Sequence, residues 1–341
     1  MKKYEMDLNG NKLSIETGKI ARQSDGAVMV THGETTVLVA VNAAKEARED
    51  IDFFPLQVEY RERHYAGGKI PGGFFKREAR PSEHEILTSR LTDRPIRPLF
   101  PKSFKNETQV IITVMSSDGE NMADTLAGVG ASAALMVSDI PFSGPIATVR
   151  VGRINDEFVI NPTRSQMEDS DMEIIVSGND QTIVMVEGEA ELITEEVFLN
   201  AMKFAHEPIK ELIDLQNQLA ADLGVEKREI SEEDTNEELE KAVSDLVSSK
   251  IDKAIKIADK GDREDAISLL KEEAIQSFEE SHPESEQLVS NFVNAQLKNA
   301  FREQILSEKK RSDGRKTTDI RPITIETGVL PRTHGSLYLH G

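Results

Sequence analysis

Cysteine is absent from the 341 residues, which excludes disulfides and any thiolate metal site. The seven histidines never fall in a spacing such as HExxH, so a helix-borne zinc site has no candidate either. Long apolar runs are missing too. The longest stretch of small and apolar residues, AGVGASAALMV, is too short to span a bilayer, and the N-terminal MKKYEMDLNGNKLSIE has no apolar segment behind its lysines. The expectation is a soluble chain without membrane contact, cytoplasmic by default. Positive charge is also scarce. A formal net charge of −20 argues against nucleic acid as a partner, because neutralising phosphates supplies most non-specific affinity. What is present is 38% hydrophobic content, enough for real cores and, at this length, for two or more folding units.

One segment inverts the overall charge. Between residues 61 and 97 the chain carries Arg61, Arg63, Lys69, Lys76, Arg77, Arg80, Arg90, Arg94 and Arg97 against Glu62, Glu78, Glu83, Glu85 and Asp93, so it is locally net positive. Inside it residues 71 to 85 read PGGFFKREARPSEHE. Pro71, Gly72 and Gly73 break regular structure and set Phe74 and Phe75 in or beside a loop, with Lys76, Arg77 and Arg80 directly after. Ser82 and Glu85 have capping-box spacing and open a short helix expected to end before Pro95; on it Arg90 and Arg94 share a face, with Arg97 just beyond. Aromatics beside a row of guanidinium groups suit single-stranded nucleic acid, since bases stack on rings while arginines follow phosphates. Composition alone leaves open that the phenylalanines are core and that the arginines pair with Glu78, Glu83, Glu85 and Asp93.

The first two hundred residues mix strand-like runs (TTVLVAVNA, FFPLQVEY, TQVIITVMS), two hairpins turning near Asn155 and Asn179, and helical periodicity over 122–137 and 195–223. Because strands come as hairpins, the class is α+β rather than doubly wound. From about residue 231 the pattern becomes all-helical, about three helices with turns near Gly261-Asp262 and His282-Pro283, whose acidity is that of a solvated face. After Lys310 the chain repeats itself: LSIETGKIAR at 13 to 22 recurs as ITIETGVLPR at 323 to 332, which implies a duplicated domain whose second copy stops after about one strand, hence a fragment of a longer protein. Two further patterns have bland readings. Gly128-Val129-Gly130-Ala131-Ser132-Ala133 matches a GxGxxA dinucleotide fingerprint, which would make a nucleotide enzyme, but it lies inside a helical pattern, where small residues let a helix approach a sheet. Asp171 and Glu173 could share a strand face as a metal site, but a polar hairpin edge accounts for them as well.

The residues FFKREARPSEHEILTSRLTDRPIRPLFP, with YAGGKIPGG before them and LPRTHG near the end, closely resemble the polynucleotide phosphorylase family of phosphorolytic exoribonucleases related to RNase PH. The resemblance covers essentially the whole chain. It implies an RNase PH-like core (ribosomal protein S5 domain 2-like) in two parts, 1–145 and 146–225, an all-helical domain at 226–310, and the start of a second core at 311–341. It further implies 3′-to-5′ degradation of RNA by phosphate to nucleoside diphosphates, with Mg²⁺ or Mn²⁺, in a homotrimer around a channel, and membership of an RNA-degradation complex. On that resemblance Phe74 and Phe75 hold the strand in the channel, Lys76, Arg77, Arg80, Arg97 and Arg315 match basic positions that handle the substrate, and Lys76 stands where the family has arginine; Arg90 and Arg94, read from their shared helix face, complete the expected RNA-binding set.

The resemblance places the chemistry in the second core, in a Gly-Ser-Ser-Ser phosphate loop at a helix start and a pair of aspartates for the metal. Here the matching positions are Asn121, Met122, Ala123 and Asp124 for the loop, and Ser165 and Asp171 for the aspartates. The expectation is a first core without catalytic or metal residues that binds RNA, needs no bound cofactor, and is inactive alone; the alternative is a non-catalytic RNA-binding or assembly subunit. At the end the chain reads RTHGSLYLHG where the family continues RTHGSALFTRGET.

Overall fold

The computed structural model describes residues 1–48, 51, 53–72, 78, 80–230, 236–283 and 285–341, in two compact units, 1–233 and 234–341. Four strands open the first unit: β1 (Lys2–Leu8), β2 (Asn11–Thr17), β3 (Gly26–His32) and β4 (Thr35–Ala43), with buried and half-buried residues alternating along β3 and most of β4. β5 (Leu56–Glu62), helix α1 (Glu83–Ile96) and β6 (Thr108–Ser116) follow. The strands form one sheet in the order β1-β2-β3-β4-β6-β5, antiparallel except for β5 and β6, which α1 connects. β5 is therefore an edge strand.

Helix α2 (Ala123–Met136) comes next, and then β7 (Ala147–Ile154), β8 (Glu157–Ile160), the short α3 (Arg164–Met167), β9 (Met172–Gly178) and β10 (Ile183–Ala190). These strands make a second antiparallel sheet, β10-β9-β7-β8. α4 (Glu195–Leu223) closes the unit, capped by Thr194 at one end and by left-handed Gly224 at the other. Past that cap Lys227 donates to the carbonyls of Leu135, Met136 and Ser138, satisfying the C-terminal end of α2, while Arg228 bridges Asp25 and Asp139.

α2 is buried from Asp124 to Leu135 and packs on β3 and β4 of one sheet and β7 of the other. The Gly128 and Gly130 pattern serves this approach: a Cβ on Gly128 would stand 2.4 Å from Thr148 Oγ1, and one on Gly130 2.6 Å from Val39 Cγ2. The helix is thus a spacer of small residues between two sheets, as its composition suggested.

α1 departs from expectation at its end. It runs through Pro95 to Ile96 and tightens into a 3₁₀ turn, Arg97–Leu99. Pro95 and Ile96 are buried in the core, so packing outweighs the one backbone hydrogen bond that proline removes.

The second unit holds α5 (Glu237–Ala254), α6 (Lys260–Glu279) and α7 (Glu286–Glu308) around a core that includes Leu239, Val243, Val247, Ile251, Val289, Val293 and Leu297, spaced four apart along α5 and α7. The turn expected at Gly261-Asp262 is instead the first turn of α6, because Asp259 caps that helix by accepting the Asp262 N–H at 3.0 Å. A hairpin of β11 (Thr324–Thr327) and β12 (Leu337–His340) follows. Its register repeats that of β2 and β3: Ile325 faces Leu339 as Ile15 faces Val30, and Thr327 faces Leu337 as Thr17 faces Val28. In both copies the Ile-Glu-Thr strand ends at a glycine of positive φ, 84° at Gly18 and 70° at Gly328. Among the described residues no helix is long and apolar enough to cross a membrane.

The packing of α2 sets a test. Gly128→Val sets a branched side chain against Thr148 and is expected to cost about 1–3 kcal/mol, read by urea unfolding, whereas Gly67→Ala, in open space and without a positive φ, costs far less. Equal losses would show that the two sheets do not depend on close approach.

Candidate nucleic-acid interface

Phe74, Phe75, Lys76 and Arg77 lie outside the described residues. The chain that flanks them is well fixed. α1 begins with the expected capping box, in which Ser82 Oγ accepts the Glu85 N–H at 3.2 Å and Glu85 Oε2 accepts the Ser82 N–H at 2.6 Å. Arg80 and Arg90 are exposed and make no ion pair among the described residues. Arg94, on the same helix, pairs with Glu187 of β10. Arg97 is held on both sides: Nε and Nη2 donate to Asp93 at 2.7 and 2.6 Å, and Nη1 and Nη2 donate to the carbonyls of Phe54 and Leu56 at 3.2 and 3.1 Å. It clasps the end of α1 to the start of β5, a use that spacing could not reveal. Arg315 belongs to the second unit, where it pairs with Asp313 at 2.9 Å and donates to the Asp319 carbonyl.

Beside α1 a cavity of about 460 Å³ is lined by Arg63, His64, Lys69, His84, Arg150 and Arg164 among others. A second, of about 450 Å³, shares His84, Asp124, Arg150 and Glu173 with it, so His84 stands between two halves of one cleft. At its base Arg150 of β7 and Asp124 of α2 form a buried ion pair, each side chain 5% exposed, and Arg150 Nε lies 2.8 Å from Glu173. Asp124 is the acidic member of the four positions that match the phosphate loop. It stands neutralised: one oxygen takes the guanidinium, and the other accepts the Thr125 N–H at 2.7 Å in the first turn of α2, where Met122 gives no cap. The preceding turn is pinned by Asp118, which accepts from the backbone of Glu34, Glu120 and Asn121 and from the Asn121 side chain. Burial opposes ionisation of Asp118, but these donors hold its carboxyl down to about 2. Neither Asp118 nor Arg150 was singled out in the sequence; the SSDG turn at 116–119 was the available signal for the first.

The matching metal positions do not suit a divalent cation. Ser165 donates to Glu120 at 2.7 Å, and Asp171 is taken by Arg153, with Nε 2.9 Å from Oδ1. No three His, Asp or Glu side chains among the described residues gather as a metal cluster. Asp171 and Glu173 are both spent on arginines.

His84 Nε2 lies 3.2 Å from Glu62 Oε1, which also accepts the Tyr60 hydroxyl at 2.7 Å. The hydrogen bond with His84 draws the Glu62 carboxyl below its ordinary 4.5 against the opposing effect of burial, and the same bond lifts His84 above its ordinary 6.5. The folded state thus favours ionised Glu62 and protonated His84. Their contribution to stability is full between about pH 4.5 and 6.5, fades as pH rises through the raised His84 value, and fades as pH falls through the lowered Glu62 value. Urea unfolding of wild type and His84→Gln from pH 5 to 9 should show a difference that shrinks with rising pH; a constant difference would rule the pair out.

Comparison with known proteins places the site in a family. Residues 10–141 match domain 1 of the 3′ exoribonuclease family, 144–207 match its domain 2, and 238–316 match the RNA binding domain of polyribonucleotide nucleotidyltransferase. The polyribonucleotide nucleotidyltransferase of Bacillus cytotoxicus is 50% identical over 335 residues, 98% of this chain and 47% of that protein. That of Geotalea uraniireducens is 47% identical over 98% and 48% of the two chains, and that of Bacillus licheniformis 49% over 98% and 47%. This chain thus spans about half the length of the relatives it matches. The crystal structure of rice (Oryza sativa) Rrp46 shares the fold, with a TM-score of 0.50 at 12% identity over 61% of this chain and 94% of that one. The chain belongs to the 3′ exoribonuclease family, with an RNase PH-like core followed by a helical unit, and its similarity to polyribonucleotide nucleotidyltransferases lies in their N-terminal half.

Proposed function

We propose that this chain is the N-terminal half of a polyribonucleotide nucleotidyltransferase, which shortens RNA from its 3′ end with phosphate and releases nucleoside diphosphates. In this reading the chain supplies surfaces that hold single-stranded RNA and assemble a homotrimer, and the reacting groups lie in the other half. The observation that carries it is identity near 50% across 98% of the chain to enzymes of that name. Electrostatics supports the division of labour. Phosphorolysis sets a phosphate nucleophile against a phosphodiester, so the site must hold two anions in line. In the cleft of the first unit Arg150 is already consumed by Asp124 and Glu173, and Asp171, at one of the positions matching the aspartate pair, is consumed by Arg153. The Mg²⁺ or Mn²⁺, the phosphate co-substrate, the wider degradation complex and a cytoplasmic setting belong to the same proposal.

Residues 74 to 77, with Arg80 and the exposed Arg90, form the RNA grip. Purified chain is expected to bind a fluorescent single-stranded RNA and to release no nucleoside diphosphates from poly(A) with phosphate and Mg²⁺; release of diphosphates would defeat the division proposed. Co-purification with a separate chain that carries out the phosphorolysis would instead favour a dedicated RNA-binding or assembly subunit.

Replacing Phe74 and Phe75 together by Ala should weaken RNA binding roughly tenfold or more, since stacking is worth about 1–3 kcal/mol per base, while leaving the melting temperature within a degree or two. Arg77→Ala should flatten the log Kd against log salt slope by about one phosphate's share, near 0.7 for a single strand. A lower melting temperature with unchanged RNA binding would make the phenylalanines core residues.

A further inference from the structure

The core of the helical unit runs as a stripe along two of its helices, Leu239, Val243, Val247 and Ile251 on α5 and Val289, Val293 and Leu297 on α7. On α7 the stripe then changes character. One turn beyond Leu297 it carries the small Ala300, and a further turn on, where the spacing calls for another large apolar side chain, it carries Gln304. Gln304 is buried all the same, at 8% exposure, and its Oε1 has no hydrogen-bond partner among the described residues. A buried amide oxygen left unmet is uncommon, because nothing compensates the loss of its water.

Gln304 lines a cavity of about 450 Å³ between α5 and α7. Small Ala300 leaves the space, and Ile251 and Ile255 give it an apolar side. Its charged groups are Asp252 and Lys256 from one helix and Glu303 and Glu308 from the other. Lys256 is already matched, with Nζ 3.2 Å from Glu308. Asp252 and Glu303 are exposed and make no ion pair among the described residues. The cavity therefore joins two unmatched carboxylates, an amide oxygen without a donor and an apolar wall.

That set selects its occupant. The helical unit lies within the stretch that matches an RNA binding domain, but a phosphate chain in this cavity would bring anions against Asp252 and Glu303. An arginine side chain suits it in each respect. Its guanidinium is a planar fan of donors with no acceptor, its charge is opposite, and its carbon stem lies well on apolar surface. The terminal torsion of a glutamine is broad, so Gln304 can turn its oxygen to an arriving donor. We propose that the cavity between α5 and α7 is the docking site for an arginine-bearing segment of a partner protein, with the guanidinium taken by Asp252, Glu303 and the Gln304 oxygen. The net charge of −20 draws such a segment towards the chain, and the cavity gives it a seat. This inference does not depend on where the chain holds RNA.

The test is an anisotropy titration of the purified chain into a short fluorescein-labelled peptide of alternating arginine and glycine, at about 0.15 M salt. Wild type is expected to bind the peptide, and Asp252→Asn/Glu303→Gln to weaken it about tenfold or more. Asp265→Asn/Glu272→Gln removes the same charge from exposed positions of α6 outside the cavity and should change binding less than about twofold. Equal losses from the two pairs would reduce the effect to general attraction and overturn the proposal, as would no binding by wild type. Gln304→Leu leaves every charge in place. It should raise the melting temperature by continuing the apolar stripe and still weaken the peptide about tenfold, since the oxygen is gone and the cavity filled; unchanged peptide affinity overturns the assignment. If Gln304→Leu instead weakens a labelled single-stranded RNA and spares the peptide, the cavity belongs to a nucleobase and the proposal fails. Self-association lost in Gln304→Leu, with no peptide bound by wild type, would give the cavity to a second copy of the chain and overturn it equally.

Discussion

The close approach of α2 to both sheets is the constraint on which the first unit depends. A helix that touches β3 and β4 on one side and β7 on the other has no room for a Cβ at Gly128 or Gly130. Polar groups on it and packed against it must then find partners inside the core, and they do: Ser132 Oγ of the helix accepts the Ile146 N–H at 2.9 Å, and Thr148 of β7, beside Gly128, bonds Ser177 of β9 at 2.8 Å. The same spacing brings Asp124, in the first turn of α2, against Arg150 on β7. Neither charge could be buried alone, since removing one partner of such a pair costs about 3–5 kcal/mol. Packing of small residues and the electrostatics of the cleft are one arrangement seen at two ends of a helix.

The β5 edge is a second constraint with a different solution. An uncovered edge invites pairing with another chain, and proteins usually blunt it with charge, proline or a covering element. Here the following segment covers it with the hydroxyl of Ser89 and the carboxylates of Glu85 and Glu78, so that protection of the sheet and placement of α1 use the same hydrogen bonds. Glu85 shows the economy best. One oxygen completes the capping box with Ser82, and the other holds the Glu62 N–H, which leaves the side chain buried and both oxygens occupied.

How much of this was legible follows the range of the interaction involved. Strands, the two hairpins, the limits of α4, the capping box at Ser82 and the Ile-Glu-Thr-Gly repeat are local patterns, and each could be read. The failures at Pro95 and Gly261 came where local rules met something else: buried packing of Pro95 and Ile96 in one case, and an aspartate cap two residues upstream in the other. The pairs that make the cleft, Asp124 with Arg150 and Glu62 with His84, join residues 26 and 22 apart in sequence, and nothing in either neighbourhood announces the partner. Glu78 was read in the sequence as an acid with which the arginines could pair, and it does pair with Arg63, but its bonds to His64 had no local signal.

That last point changes how the positive segment should be weighed. Nine basic residues against five acids over 61 to 97 suggests a broad phosphate-binding surface. In the folded unit Arg63 is spent on Glu78, Arg94 on Glu187 and Arg97 on Asp93 and two carbonyls. Exposed ion pairs are weak, about 0–1 kcal/mol, so Arg94 can still turn towards a phosphate; Arg97, with four hydrogen bonds joining two elements, cannot do so without opening the β5 and α1 junction. Within 61 to 97 the basic side chains that make no ion pair among the described residues are Arg61, Lys69, Arg80 and Arg90. Lys69 and Arg80 stand on either side of Phe74 and Phe75 in the sequence, and Arg90 lies further along, on α1. The positive charge left outside ion pairs is therefore narrower than composition implies and gathers near Lys69 and Arg80, where the RNA-holding surface proposed above would lie, in a protein whose net charge of −20 would repel a phosphate chain elsewhere.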